Sequence, residues 1–110
     1  MNNSFGLKQS DLENIISILK SEGNVEKAFI FGSRAKGINR NGSDVDIALV
    51  GENLNRSVIT QISYLLNEET MMPYKFDVLN YNTISSKELL SHINRVGKLI
   101  YSKLKNKECG

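Results

Sequence analysis

Residues 31–50 read FGSRAKGINRNGSDVDIALV, and they place a Gly-Ser pair and two alternating acids at opposite sides of one loop. Gly32 and Ser33 follow the short run VEKAFIF, whose last three residues are large and apolar, as in a buried strand that ends at a glycine. Asp44 and Asp46 open a second apolar, β-branched run, DVDIALV. The stretch therefore predicts two strands, with polar side chains gathered where the first ends and the second begins.

The remainder of the chain predicts helices around these strands. Before them, apolar residues at helical spacing follow a capping box of Ser10 and Glu13. After them, LNRSVITQISYLLNEE predicts a helix, YKFDVLNY a third strand, and SSKELLSHINRVGKLIY a last helix with a capping box of Ser85 and Glu88. The tail KLIYSKL is compatible with an edge strand or with a further helical turn.

Strands separated by helices predict an α/β (α+β) fold, in which a small mixed β-sheet has helices packed on at least one face. A length of 110 residues suits one compact domain. We expect residues 1–110 to form a single domain with its core at about residues 10–100 and a polar tail at 102–110.

Composition and charge narrow the class of protein. The hydrophobic and charged fractions are ordinary for a globular protein, and no stretch approaches the roughly 18 apolar residues of a membrane helix. The N-terminus lacks the pattern of a signal peptide, and the single cysteine, Cys109, has no intrachain partner, so we expect a cytoplasmic protein without a membrane partner. A net charge of +2 does not by itself indicate nucleic-acid binding, although the C-terminal segment gathers positive charge.

The alternating acids suggest a divalent cation. In a strand, Asp44 and Asp46 point to one face, while Val45, Ile47 and Leu49 point to the other. Two neighbouring carboxylates beside an apolar core repel each other, and Mg²⁺ or Mn²⁺ relieves that repulsion. The alternative is structural, with the first acid capping a turn and the second paired with a lysine.

The Gly-Ser pair suggests an anion site. If a short helix in SRAKG follows the strand, its free backbone N–H groups and the Ser33 hydroxyl face an anion, and Arg34 or Lys36 adds positive charge. Gly32 allows close approach of the backbone. The alternative is a tight turn with exposed basic residues.

A third acid, Asp77, lies in the middle of the predicted strand YKFDVLNY, on the face away from the core. If this strand pairs beside the one that carries Asp44 and Asp46, three carboxylates converge. Such a cluster suits two cations roughly 3.5–4 Å apart, the geometry of phosphoryl and nucleotidyl transfer. The alternative for Asp77 is a salt bridge to Lys75 or another lysine.

Taken together, these motifs resemble a known superfamily. Gly32-Ser33, ten further residues, the pair Asp44 and Asp46, and the later strand acid Asp77 resemble the polymerase-beta-type nucleotidyltransferases. More narrowly, the chain resembles the minimal nucleotidyltransferases of bacteria and archaea, over residues 10–100. The resemblance implies the nucleotidyltransferase core fold in a single minimal domain.

The resemblance also implies a role for each motif. Gly32 and Ser33 would hold the β- and γ-phosphates of ATP or another nucleoside triphosphate. Asp44 and Asp46 would ligate two Mg²⁺ ions, and Asp77 would ligate one of them and help to deprotonate an acceptor hydroxyl. The reaction would be in-line attack on the α-phosphorus with loss of pyrophosphate. Supporting nucleotide contacts are expected from Arg34, Lys36 and Ser43.

Minimal members of this superfamily are often encoded beside a small helical HEPN-type protein, and some are antitoxins that transfer AMP to a tyrosine of that partner. The resemblance thus implies an Mg²⁺-dependent enzyme that transfers AMP from ATP to a partner hydroxyl. An alternative is an antitoxin that binds nucleotide but acts by occluding its partner.

A third hypothesis, nucleotide addition to an RNA end, is disfavoured by the near-neutral charge. The preferred nucleotide base, the acceptor, and a homodimeric or hetero-oligomeric state stay open.

His92, the single histidine, is interpreted as a surface or interface residue.

Overall fold

The computed structural model describes residues 7–32, 44–70, 72 and 74–103. Their order along the chain is helix, two strands, helix, strand, helix and strand. The elements are α1 (Gln9–Ser21), β1 (Lys27–Phe31), β2 (Val45–Val50), α2 (Arg56–Glu68), β3 (Phe76–Asn80), a 3₁₀ turn (Tyr81–Thr83), α3 (Lys87–Val96) and β4 (Lys98–Ser102). None of the helices within these residues is both long enough and apolar enough to cross a bilayer.

The four strands of the described residues form one mixed sheet in the order β3-β2-β1-β4. The central strand β1 pairs antiparallel with β2 and with β4, whereas β2 and β3 are parallel. The parallel pair arises because α2 lies between these strands in the chain and returns it to the same end of the sheet. The predicted mixed sheet with packed helices is confirmed, and the tail KLIYSKL supplies an edge strand.

One face of the sheet carries the larger hydrophobic core. The predicted alternation on β2 is confirmed, because Val45, Ile47 and Leu49 are all fully buried on this face. Phe76 of β3 joins them. Two helices cover this face through the buried residues Ile15 and Leu19 of α1 and Ile62 and Leu66 of α2.

The opposite face carries a smaller cluster beneath α3. Ile93 of α3 is buried against Phe31 of β1 and Ala48 of β2. The Tyr81 hydroxyl, directly after β3, donates a hydrogen bond of 2.7 Å to Oδ1 of Asn94. These contacts hold α3 across the face to which Asp46 and Asp77 belong.

Two helix starts differ from the predictions. The capping box of Ser10 and Glu13 is wrong, because the N-cap of α1 is Lys8, two residues before Ser10, and it makes no side-chain cap hydrogen bond. Glu13 accepts a hydrogen bond from the side chain of Gln9 instead. The cap of α3 lies one residue later than predicted, since Ser86 accepts from the Leu89 N–H at 3.2 Å.

Candidate active site

The two strand acids Asp46 and Asp77 lie directly opposite each other. In the parallel register of β2 and β3, Asp46 is the partner of Asp77. This pair directly follows the buried pair Val45 and Phe76. Neighbouring strands lie about 4.8 Å apart and register partners share a face. The condition that the strand of Asp77 pairs beside the strand of Asp46 is therefore met, and the pairing places these two aspartates opposite each other on the face away from the larger core.

Asp44 lies one residue before β2 and is exposed. The pairing of β2 with β3 begins just after it, where the Val45 N–H donates to the Lys75 carbonyl at 2.8 Å. Within the part of the chain that the structure describes, no three or more His, Cys, Asp or Glu side chains form a group that could hold a metal ion. The described residues thus assemble a pair, Asp46 and Asp77, and the three-acid metal centre stays a prediction.

Gly32 lies at the end of β1, next to Phe31, whose partner on β2 is Asp46. Its φ of 78° is in the left-handed region, which glycine adopts without steric cost. A Cβ at this position would overlap Oδ2 of Asp46. The backbone therefore approaches the Asp46 carboxylate more closely than any other residue type permits.

His92 was missed as a site residue by the sequence reasoning. The Gly32 N–H donates a hydrogen bond of 3.2 Å to Nε2 of His92 on α3. The imidazole also meets the Phe31 ring edge to face, with centroids 6.1 Å apart and an interplanar angle of 78°. No local signal pointed to this contact, because sixty positions separate His92 from Gly32.

Asn67 was also missed, although it fixes the strand that carries Asp77. From α2, its Nδ2 donates to the Phe76 carbonyl at 3.1 Å and its Oδ1 accepts from the Phe76 N–H at 2.8 Å. This pair of bonds takes the place of a further strand along the outer edge of β3. Asp77, the next residue, is thereby held in line with Asp46.

Four candidate residues lie outside the described residues, as does the predicted short helix in SRAKG. They are Ser33, Arg34, Lys36 and Ser43. Their proposed nucleotide contacts remain predictions from the motif.

The paired aspartates fit the chemistry of Mg²⁺. This ion is bound by oxygen ligands, and in nucleotide enzymes it usually takes one or two protein carboxylates, with water and substrate phosphates completing its shell. Asp46 and Asp77 supply such a pair, and Asp44 lies at the start of the same strand. A cation held by these aspartates would place positive charge next to the turn at Gly32.

A mixed sheet with helices on both faces, and paired strand acids beside a glycine turn, defines a nucleotidyltransferase fold. The family model described as polymerase beta, nucleotidyltransferase, matches residues 13–106. The chain belongs to this family, and the superfamily resemblance seen in the sequence is confirmed. No curated protein sequence matches the chain significantly.

Solved structures of low sequence identity share the fold. One is a chain of a toxin–antitoxin complex with AMP-PNP, which is 20% identical to this chain and has a TM-score of 0.71. The match covers 89% of this chain and 78% of that chain. A tri-AMPylated Shewanella oneidensis HEPN toxin in complex with MNT antitoxin is 18% identical, with coverages of 94% and 79% and a TM-score of 0.68. A putative nucleotidyltransferase from Sulfolobus solfataricus is 19% identical, with coverages of 96% and 93% and a TM-score of 0.51.

Proposed function

We propose that the chain is an Mg²⁺-dependent nucleotidyltransferase that transfers AMP from ATP to a hydroxyl of a small helical HEPN-type partner, and that it serves as the antitoxin of the pair. The observation that carries the proposal is the register of Asp46 with Asp77 beside Gly32. The fold shared with toxin–antitoxin structures, one with AMP-PNP and one with an AMPylated toxin, supports the choice of nucleotide and partner.

Electrostatics favour a cation-assisted reaction at this place. Opposed like charges on neighbouring strands destabilise the sheet, so the carboxylates of Asp46 and Asp77 gain from a bound cation. Mg²⁺ held by Asp46 and Asp77, with Asp44 as the further proposed ligand, would neutralise charge on the triphosphate and on the departing pyrophosphate.

The residues of the chain would then position the triphosphate and the acceptor for the reaction. The turn at Gly32 leaves room for the β- and γ-phosphates to approach the backbone, and Ser33 is the proposed phosphate contact. The acceptor oxygen attacks the α-phosphorus in line, the bond from that phosphorus to the bridging oxygen of the β-phosphate breaks, and pyrophosphate leaves. The hydroxyl proton passes to the Asp77 carboxylate, which is exposed and can release it to water.

The test is transfer of label from α-labelled ATP to a HEPN-type partner encoded beside the chain, with Mg²⁺ present. We expect Asp46→Asn to lower the rate about a hundredfold or more, because it weakens the site for the Mg²⁺ that would neutralise negative charge in the transition state. Glu68→Gln is the matched carboxylate-to-amide control, since Glu68 is exposed on α2, over the opposite face of the sheet. It should transfer label at the native rate.

The alternatives give other results in the same assay. Native protein that neutralises the partner without transferring label acts by occlusion, and Asp46→Asn would then neutralise equally well. Label that appears on RNA rather than on the partner, with an affinity for RNA that falls steeply with salt, indicates addition to an RNA end. Either result overturns the proposed protein AMPylation.

A further inference from the structure

We infer that His92 is a positioning residue that holds the Gly32 turn in the conformation that receives the triphosphate. This inference rests on the proposed function and assigns a task to a residue on α3, a helix that contributes none of the motif residues. The observation behind it is the hydrogen bond of 3.2 Å from the Gly32 N–H to His92 Nε2.

Gly32 needs such a contact because its conformation is not one the chain adopts by default. Glycine loses more conformational freedom on ordering than any other residue, and a φ of 78° is one of many values open to it. Two side chains confine it here. The Asp46 carboxylate lies against its Cα, and the His92 imidazole accepts from its N–H.

Contacts of His92 and of its neighbours on α3 set the position of the imidazole. Its ring meets the Phe31 ring edge to face, and the next residue, Ile93, is buried in the cluster beneath α3. Asn94 accepts the hydrogen bond from Tyr81. The contacts of these three neighbouring residues hold α3 at this place, and so set the imidazole where it accepts from the Gly32 N–H.

The same hydrogen bond limits how Gly32 can act. Nε2 accepts only in the neutral imidazole whose proton is on Nδ1. The Gly32 N–H already donates to this nitrogen and is not a free donor for a phosphate oxygen. Gly32 therefore serves through its conformation and not as a phosphate ligand through its own N–H.

Two substitutions separate the acceptor from the ring. His92→Phe keeps an aromatic ring beside Phe31 but removes the acceptor, whereas His92→Gln removes the ring and places a carbonyl oxygen near the position of Nε2. His92→Leu is a second variant without an acceptor, in case the larger ring of Phe disturbs folding. Circular dichroism and thermal unfolding establish that each variant is folded.

Two measurements then report on the Gly32 turn and on nucleotide binding. The first is the exchange rate of the Gly32 amide hydrogen, measured by NMR on the protein without nucleotide. The second is the Kd for AMP-PNP in the presence of Mg²⁺. We expect both acceptor-free variants to exchange the Gly32 amide faster and to bind AMP-PNP about fivefold to tenfold more weakly, the effect of one lost hydrogen bond. His92→Gln should stay within about twofold of native in both.

A purely structural role for His92 predicts a different pattern, in which variants differ in melting temperature but share one Kd. That pattern overturns the inference, as does an unchanged amide exchange rate in the folded acceptor-free variants. A native chain that binds no AMP-PNP overturns the proposed function, and the inference with it. The native chain thus reports on the function, and the comparison between variants reports on His92.

Discussion

The side-chain amide of Asn67 exchanges two hydrogen bonds with the backbone of Phe76, and so fastens α2 to the outer edge of β3. Asn67→Leu keeps the side-chain volume but leaves the N–H and C=O of Phe76 without these partners. We expect it to lower the free energy of unfolding by about 2–3 kcal/mol, from two lost hydrogen bonds with a partly buried donor and acceptor left behind. Urea denaturation measures the change.

The control for this substitution is Asn53→Leu, at an exposed asparagine in the turn after β2. It should change the free energy of unfolding by less than about 0.5 kcal/mol. Equal effects of the two substitutions would mean that the Asn67 amide does not support β3.

Removing one charge from the aspartate pair should separate stability from activity. Asp77→Asn relieves the repulsion across β2 and β3, so we expect the metal-free protein to be as stable as native or more stable by up to about 0.5 kcal/mol. The same variant should lose AMP transfer. Thermal unfolding with and without Mg²⁺ adds a readout that is independent of activity, because an ion bound by the pair raises the native Tm by several degrees and leaves that of the variant almost unchanged. An equal rise in Tm for both proteins would place the ion elsewhere.

Gly32→Ala should disable the turn at the end of β1. The added Cβ overlaps the Asp46 carboxylate, and the left-handed φ of 78° costs a residue with a Cβ about 1–2 kcal/mol. We expect a loss of unfolding free energy of at least this size, together with weakened binding of AMP-PNP. Chemical denaturation and equilibrium titration check the two effects.

Gly23→Ala is the matched control, because a Cβ at Gly23 meets nothing within 4 Å. It should be neutral or slightly stabilising. If Gly32→Ala behaved like this control, the close approach of Gly32 to Asp46 would not constrain the site.

The Tyr64 hydroxyl should titrate above its ordinary value. It donates a hydrogen bond of 3.0 Å to the Glu69 carboxylate, and this bond raises the pKa of Tyr64 above 10.0, with the negative charge of Glu69 adding to the effect. Since the folded pKa is the higher one, the native state holds this proton more tightly than the unfolded state. The associated stability is complete below about pH 10 and is lost as the pH rises through the folded pKa.

Difference titrations between native protein and Tyr64→Phe, followed by tyrosinate absorbance, isolate this group. Glu69→Gln should return the pKa of Tyr64 toward 10.0, whereas Glu68→Gln should lower it less, because Glu68 acts only through its charge. The prediction fails if the two substitutions have equal effects.

The local pattern of the fold could be predicted from the order of the residues. Alternation placed Val45 and Ile47 in the core and Asp46 on the other face of β2, because successive side chains of a strand point in opposite directions whatever its neighbours are. Apolar residues at helical spacing likewise located the three helices of the described residues, because that spacing places them on one face of a helix. Helix starts were predicted less accurately. Ser85 and Ser86 are equivalent as N-caps in the sequence, and the structure shows that Ser86 caps α3.

Contacts between residues far apart in the chain became visible only in the folded protein. Pairing β3 beside β2 set Asp77 opposite Asp46, and it depended on α2 packing on one face and on the Asn67 amide at the edge of β3. Folding α3 back across the sheet brought His92 to Gly32. These contacts join segments that are far apart in the chain. They depend on burial and hydrogen bonding in the folded protein, so a local sequence pattern does not predict them.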